Sequence, residues 1–187
     1  NDFMLSSDVK VFGKMLARTL LFNKVKNIPG DIVEFGVFKG TGLMTFLKLK
    51  RYLCPNTVKK VVGFDFFETD GLLKSLSSQD KEAMTTLFKE RGFAHEESFK
   101  EYLEQSILSF GFKPYEFDLI KGDASQMAQE YVKSRPGLKK SLFFLYLYFA
   151  KPTYDVLCAM WNKVSQGGVV VFDEYAYQKW SEFFFFF

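Results

Sequence analysis

Gly30-Asp31-Ile32-Val33-Glu34-Phe35-Gly36-Val37-Phe38-Lys39-Gly40-Thr41-Gly42 is the stretch whose reading decides the fold. Asp31 to Gly36 is a short β-branched run that enters glycine, which predicts a buried strand. The glycines that follow let backbone turn sharply and approach a ligand closely. Thr41 to Tyr52 then carries apolar residues at helical spacing. Strand, glycine loop and helix in this order open a βαβ unit.

Outward from this unit the alternation continues. VKKVVGFD (58–65) reads as a second strand, Phe117 to Ile120 as a third, Ser141 to Phe149 as a fourth and Val169 to Phe172 as a fifth. Helical spacing lies between them at Ala124 to Lys133 and at Thr153 to Lys163, the latter ended by Gly167-Gly168. Upstream, Val9 to Phe22 has helical spacing with Asp8 as its cap, and Ile28-Pro29-Gly30 breaks it. Strands alternating with helices predict an α/β fold, a Rossmann-like doubly wound and mostly parallel sheet. The polar stretch 66–110, with helix patterns at Gln79 to Glu90 and Glu96 to Ser109, reads as a helical insertion or lid after the second strand.

Composition bounds the function. The chain of 187 residues is 48% hydrophobic and 25% charged, with a net charge of +3. That suits one domain, residues 1–187, with 1–27 as an N-terminal helical segment. It excludes a disordered tail and, lacking a Lys/Arg block, argues against a nucleic-acid binder. Cys54 and Cys158 match no zinc spacing and read as buried or semi-buried thiols of a reducing compartment rather than a disulfide. No stretch reads as a signal peptide or membrane span, so the expectation is a soluble cytoplasmic protein. Phe is abundant, 24 residues in all, and Phe183 to Phe187 close the chain.

In a doubly wound sheet, ligands bind beyond the carboxyl ends of the strands near the switch in strand order. Four groups fall there. The first is Glu34, Gly36, Phe38, Gly40 and Thr41, spaced E-x-G-x-x-x-G rather than as a dinucleotide or triphosphate loop. A plain strand-to-helix turn is the alternative. The second is Asp65, placed to accept from both hydroxyls of a ribose, or else a turn residue. The third is Gly122-Asp123-Ala124, where Asp123 caps the next helix, faces an adenine amino group, or does both. The fourth is Asp173-Glu174, two acids suited to a cation such as magnesium or to a solvated turn. His95 in the insertion reads as a surface residue, and Phe64, Phe66 and Phe67 as core and pocket wall.

Taken together, GDIVEFGVFKGTG (30–42), VVGFDFFE (61–68), KGDA (121–124) and KPTYDVLCAMWNKVSQGGVVVFDEY (151–175) resemble the macrocin O-methyltransferase (TylF-type) family of S-adenosylmethionine-dependent methyltransferases. ARTLLF near the start is similar to that family's N-terminal helix. The resemblance implies a class I methyltransferase domain that binds the methionine end of the cofactor at Glu34, Gly36 and Gly40. It implies ribose at Asp65 and adenine beside Asp123 and Ala124. The reaction it implies is methylation of a small-molecule hydroxyl, with a natural-product sugar as precedent, magnesium at Asp173 and Glu174, and a homodimer. It also implies a helix and two strands beyond the fifth strand, where this sequence has its Phe run.

One block departs from the pattern. The family carries L-D-x-D-L-Y before E/K-P-T, with one acid tied to metal and the next to general-base work. This chain has Leu145-Tyr146-Leu147-Tyr148-Phe149-Ala150 before Lys151-Pro152-Thr153. A phenol, with a reference pKa of about 10, is neutral near pH 7 and replaces a metal-binding carboxylate poorly. Three readings compete: letters at 146 and 148 that misstate the residues, a non-catalytic family member that binds cofactor, or Tyr148 as a base with Asp173 beside it. A nicotinamide-dependent oxidoreductase is disfavoured by the glycine spacing.

Overall fold

The computed structural model describes residues 9–91, 99–147 and 149–173. Its centre is a five-stranded sheet ordered β3-β2-β1-β4-β5, with every neighbouring pair parallel. The strands are β1 (Asp31–Phe35), β2 (Val61–Asp65), β3 (Phe117–Lys121), β4 (Lys140–Leu145) and β5 (Val164–Phe172). The helices are α1 (Val9–Val25), α2 (Thr41–Leu53), α3 (Thr69–Ser75), α4 (Ser78–Arg91), α5 (Phe99–Ser109), α6 (Ala124–Ser134) and α7 (Ala150–Met160). The expected Rossmann-like doubly wound sheet is therefore what forms.

Two apolar faces follow from the period-two alternation of side chains along each strand. Ile32, Val61, Leu142 and Phe144 face one way, against Phe22 and Val25 of α1, Phe46 and Leu47 of α2, and Ile107 of α5. Val33, Val62, Phe143 and Leu145 face the other, against Ala128 and Tyr131 of α6 and Val156 and Met160 of α7. Phe35 and Phe64 stack there with centroids 4.3 Å apart, which fills the second layer beside the strand ends. Helices on both faces explain why the strands are nearly continuous apolar runs.

Several boundaries differ from expectation. The fourth strand ends at Leu145, not Phe149, because the chain leaves the sheet once the Tyr146 amide has bonded the Phe35 carbonyl (2.8 Å). Helix α7 accordingly starts at Ala150. Gly167-Gly168 does not end that helix; a 3-10 turn at Trp161–Lys163 does, and both glycines lie inside β5. They sit where the register between β4 and β5 shifts, and Gly167 adopts a left-handed φ of 80° that this irregularity requires. The 66–110 stretch is not all lid. Leu103 and Ile107 of α5 are buried in the sheet core, whereas α3 and α4 stand at the strand ends.

The opposite end of the sheet is tied by a lysine. The buried Lys59 ammonium donates to the carbonyls of Ile28 and Gly30 (2.8 Å to the latter) and to Ser141 Oγ (3.0 Å). Lys140 is also buried, against Met160 Sδ. Cys54 and Cys158 are free thiols; Cys54 is half-buried as expected, but Cys158 is exposed, because it lies on the outer face of α7. Among the described residues no helix is long and apolar enough to cross a membrane. Asp8 and His95 lie outside those residues.

Candidate functional site

Strand order reverses between β1 and β4, so the chain leaves these neighbours in opposite directions and opens a crevice above them. Gly36 ends β1 at that point with φ 87°. A Cβ there would collide with the Tyr146 carbonyl oxygen, so the crossing of the two chain ends requires glycine. The Gly36 amide donates to the Phe64 carbonyl at 2.9 Å, which holds the three strand ends level.

Asp65 at the end of β2 organises the loops around the crevice. Its Oδ2 accepts from the Phe38 amide at 2.9 Å and its Oδ1 from the Phe67 amide at 3.0 Å. Both donors are non-glycine residues in the left-handed region, Phe38 at φ 52° and Phe67 at φ 56°. Such residues are strained and persist only where their surroundings hold them. Burial pushes the Asp65 carboxyl above its ordinary pKa, and the surrounding backbone amides pull it back toward the charged form. The Val37 and Phe66 amides also face the carboxylate, so backbone donors surround it where it lines the cleft.

Asp123 caps α6 by accepting from the Gln126 amide at 3.1 Å, and it also lines the crevice. Capping and lining thus coincide in one side chain. The cleft holds about 1050 Å³ of empty space, open mouth included, and its wall is mainly apolar. Gly36, Phe38, Asp65, Asp123 and Ala124 all lie on that wall. Leu72 of α3, Leu76 just after it, and Met84 and Phe88 of α4 complete it, with Tyr146 and Leu147 just after β4 and Pro152 in the first turn of α7. The four side chains from the insertion, Leu72, Leu76, Met84 and Phe88, were not picked out from the sequence. The two pairs spaced four apart, 72/76 and 84/88, would have marked one apolar face on each polar helix.

Other expected site residues stand apart from the wall. Glu34 points to the α1 side of the sheet, 1% exposed, with Arg18 Nη2 3.4 Å from its Oε1. Its Oε2 and Arg18 Nε have no hydrogen-bond partner. Burial pushes its pKa up to about 7, against the pull of Arg18. Gly40 turns into α2 at φ 82° beneath Leu103, and Thr41 is exposed in the first turn. Neither touches the cleft.

Asp173 follows β5, its amide bonded to the Leu145 carbonyl at 3.0 Å. Its Oδ2 is 2.7 Å from the Lys14 ammonium, which also lies 4.6 Å over the Tyr146 ring centroid. Tyr148 and Glu174 lie outside the described residues. Among those described, no three His, Cys, Asp or Glu side chains gather to hold a metal ion. A carboxylate already neutralised by lysine, beside a tyrosine at an acid position, does not fit a magnesium shell of anionic oxygens.

No protein-family model matches the sequence, and no curated protein does. Solved structures match the fold. The calicheamicin methyltransferase CalS11 aligns with a TM-score of 0.75 at 25% identity, over 92% of this chain and 68% of its own. An apo structure of CalS11, described as TDP-rhamnose 3'-O-methyltransferase in calicheamicin biosynthesis, gives 0.69 and 27%, over 92% and 67%. The O-methyltransferase NovP gives 0.71 at 18%, over 91% and 69%, which speaks to fold alone. The fold is the class I methyltransferase type.

Proposed function

We propose that this cleft binds S-adenosylmethionine and that the chain is an O-methyltransferase acting on a hydroxyl of a small molecule. The observation that carries the reading is the convergence of Gly36, Asp65 and Asp123 from three strand ends on one cleft at the switch point. The residues fit the cofactor: Asp65 puts a carboxylate on the cleft wall as an acceptor for ribose hydroxyls, and Asp123 with the small Ala124 leaves room for adenine. When bound, the cofactor supplies a methyl group on a positively charged sulfur. Gly36 lets the chain ends approach it closely, and Phe38 is fixed on the wall by Asp65. The apolar side chains of α3 and α4 exclude water from the acceptor end, and alignment of the acceptor oxygen supplies the rest of the rate. We take the acceptor to be a sugar hydroxyl of a natural product, because CalS11 at 25–27% identity carries that chemistry in its descriptions.

Calorimetric titration with S-adenosylhomocysteine tests the cofactor site. Saturable binding is expected, weakened by Asp65→Ala; a folded sample that takes up no ligand overturns the reading. A second reading, a cofactor-binding protein without turnover, is favoured by tyrosine at positions 146 and 148. Transfer of labelled methyl to sugar acceptors distinguishes the two.

A further inference from the structure

Helix α1 crosses the sheet face with three cations on one stripe, Lys10, Lys14 and Arg18, of which the last two lie over aromatic rings of the sheet side. Lys14 and Arg18 are four residues apart, hence neighbours on one side of the helix. The strand beneath answers with Phe144 and Tyr146, two residues apart and so on one side of the chain. The Arg18 guanidinium lies 4.9 Å over the Phe144 ring and the Lys14 ammonium 4.6 Å over the Tyr146 ring. Four residues of helix rise about 6 Å and two of strand about 6.6 Å, so the two repeats match. Each of these two cations then meets an acid at a strand end: Arg18 meets Glu34 of β1, and Lys14 meets Asp173 after β5. Burial of Arg18, Phe22 and Val25 fixes the helix that carries them.

We propose that Lys14 supplies the positive charge at the Tyr146 end of the cleft, where the resemblance implies a divalent cation. This rests on the methyltransferase reading of the cleft. Lys14 is a positioning residue: it acts through Asp173 and through Tyr146, which itself lines the cleft. With the ammonium 2.7 Å from Asp173, a divalent ion would have to displace a covalently tethered charge that is always at high local concentration. Tyrosine at 146 is consistent with that exchange: a ring face attracts an ammonium, whereas a neutral phenol is a poor magnesium ligand.

Manganese(II) titration of the full chain, followed by electron paramagnetic resonance, tests the assignment, with S-adenosylhomocysteine binding measured in parallel. Wild type should show no saturable manganese site with or without S-adenosylhomocysteine, and its methyl transfer should be unaffected by a chelator. Lys14→Met should lower kcat about tenfold with the cofactor KM unchanged, and Lys14→Arg should restore much of it. Lys14 is half exposed on its helix, so both variants should fold. Stoichiometric manganese binding by wild type, or a Lys14→Met protein with unchanged kcat, would overturn the proposal. Absence of S-adenosylhomocysteine binding would instead overturn the cofactor reading, and the manganese result is read independently of it.

Discussion

The two ends of this sheet solve the same problem of buried polar groups in opposite ways. At the amino end, Lys59 reaches into the layer and satisfies two carbonyls and Ser141 Oγ. At the carboxyl end, Asp65 holds two left-handed residues, and Glu34 Oε2 and Arg18 Nε are buried without hydrogen-bond partners. Strain and unmet hydrogen-bonding capacity cost stability, and both gather where the strand order reverses. The contrast separates the end that holds the fold from the end that does its work.

The largest expected effect comes from breaking the crossing at Gly36. Gly36→Ala places a methyl against the Tyr146 carbonyl in a backbone conformation that favours glycine. It should cost about 3 kcal/mol of stability in urea denaturation and abolish S-adenosylhomocysteine binding. Full binding by a stable variant would show that the two chain ends are not locked together. Next comes Asp65→Asn, which keeps one acceptor oxygen and loses the other. Cofactor affinity should fall about 10- to 100-fold by calorimetry, with a smaller loss of stability. The amino end should respond the other way around. Lys59→Met strands carbonyls that it now satisfies and should cost about 2 kcal/mol, yet leave affinity for S-adenosylhomocysteine unchanged. Equal losses of affinity from both variants would erase the distinction between the ends.

The last test is a pH profile. Glu34 is raised by burial from its ordinary 4.5 to about 7. The folded state therefore holds its proton where the unfolded state has released it, and stability falls as pH rises from 4.5 to about 7. Lys140 at the amino end is lowered from 10.5 to about 7, again by burial. Its contribution is complete above 10.5 and is lost as pH falls through about 7. Opposite slopes on either side of neutrality give a shallow minimum near pH 7. Glu34→Gln should flatten only the acid limb and Lys140→Met only the alkaline limb, both read from denaturation midpoints across pH.

Much of this was legible in the sequence because glycine and period-two alternation are local signals. The run from Gly30 to Gly42 announces its strand, turn and helix, and Asp65 and Asp123 follow from their places after later strands. Phe38 could be named as a site residue from its loop, but not as a strained donor to a carboxylate 27 residues away. The early end of β4 escaped because Tyr146 leaves the sheet through a bond to Phe35, a partner no local pattern reveals. Gly167-Gly168 looked like a helix stop, since a glycine pair reads the same at a helix end and at a strand irregularity. Least legible was the pairing of Lys14 with Asp173 across 159 positions of sequence, which only the packing of α1 against the sheet brings together.

The bonds that Asp65 makes to Phe38 and Phe67 bear on the speed of ligand capture. Both loops are already tied to a common anchor before anything enters the cleft, so ordering them is charged to folding rather than to association. Binding of S-adenosylhomocysteine should then proceed in a single kinetic phase whose rate rises in proportion to ligand concentration, without a plateau set by a slow rearrangement of these loops.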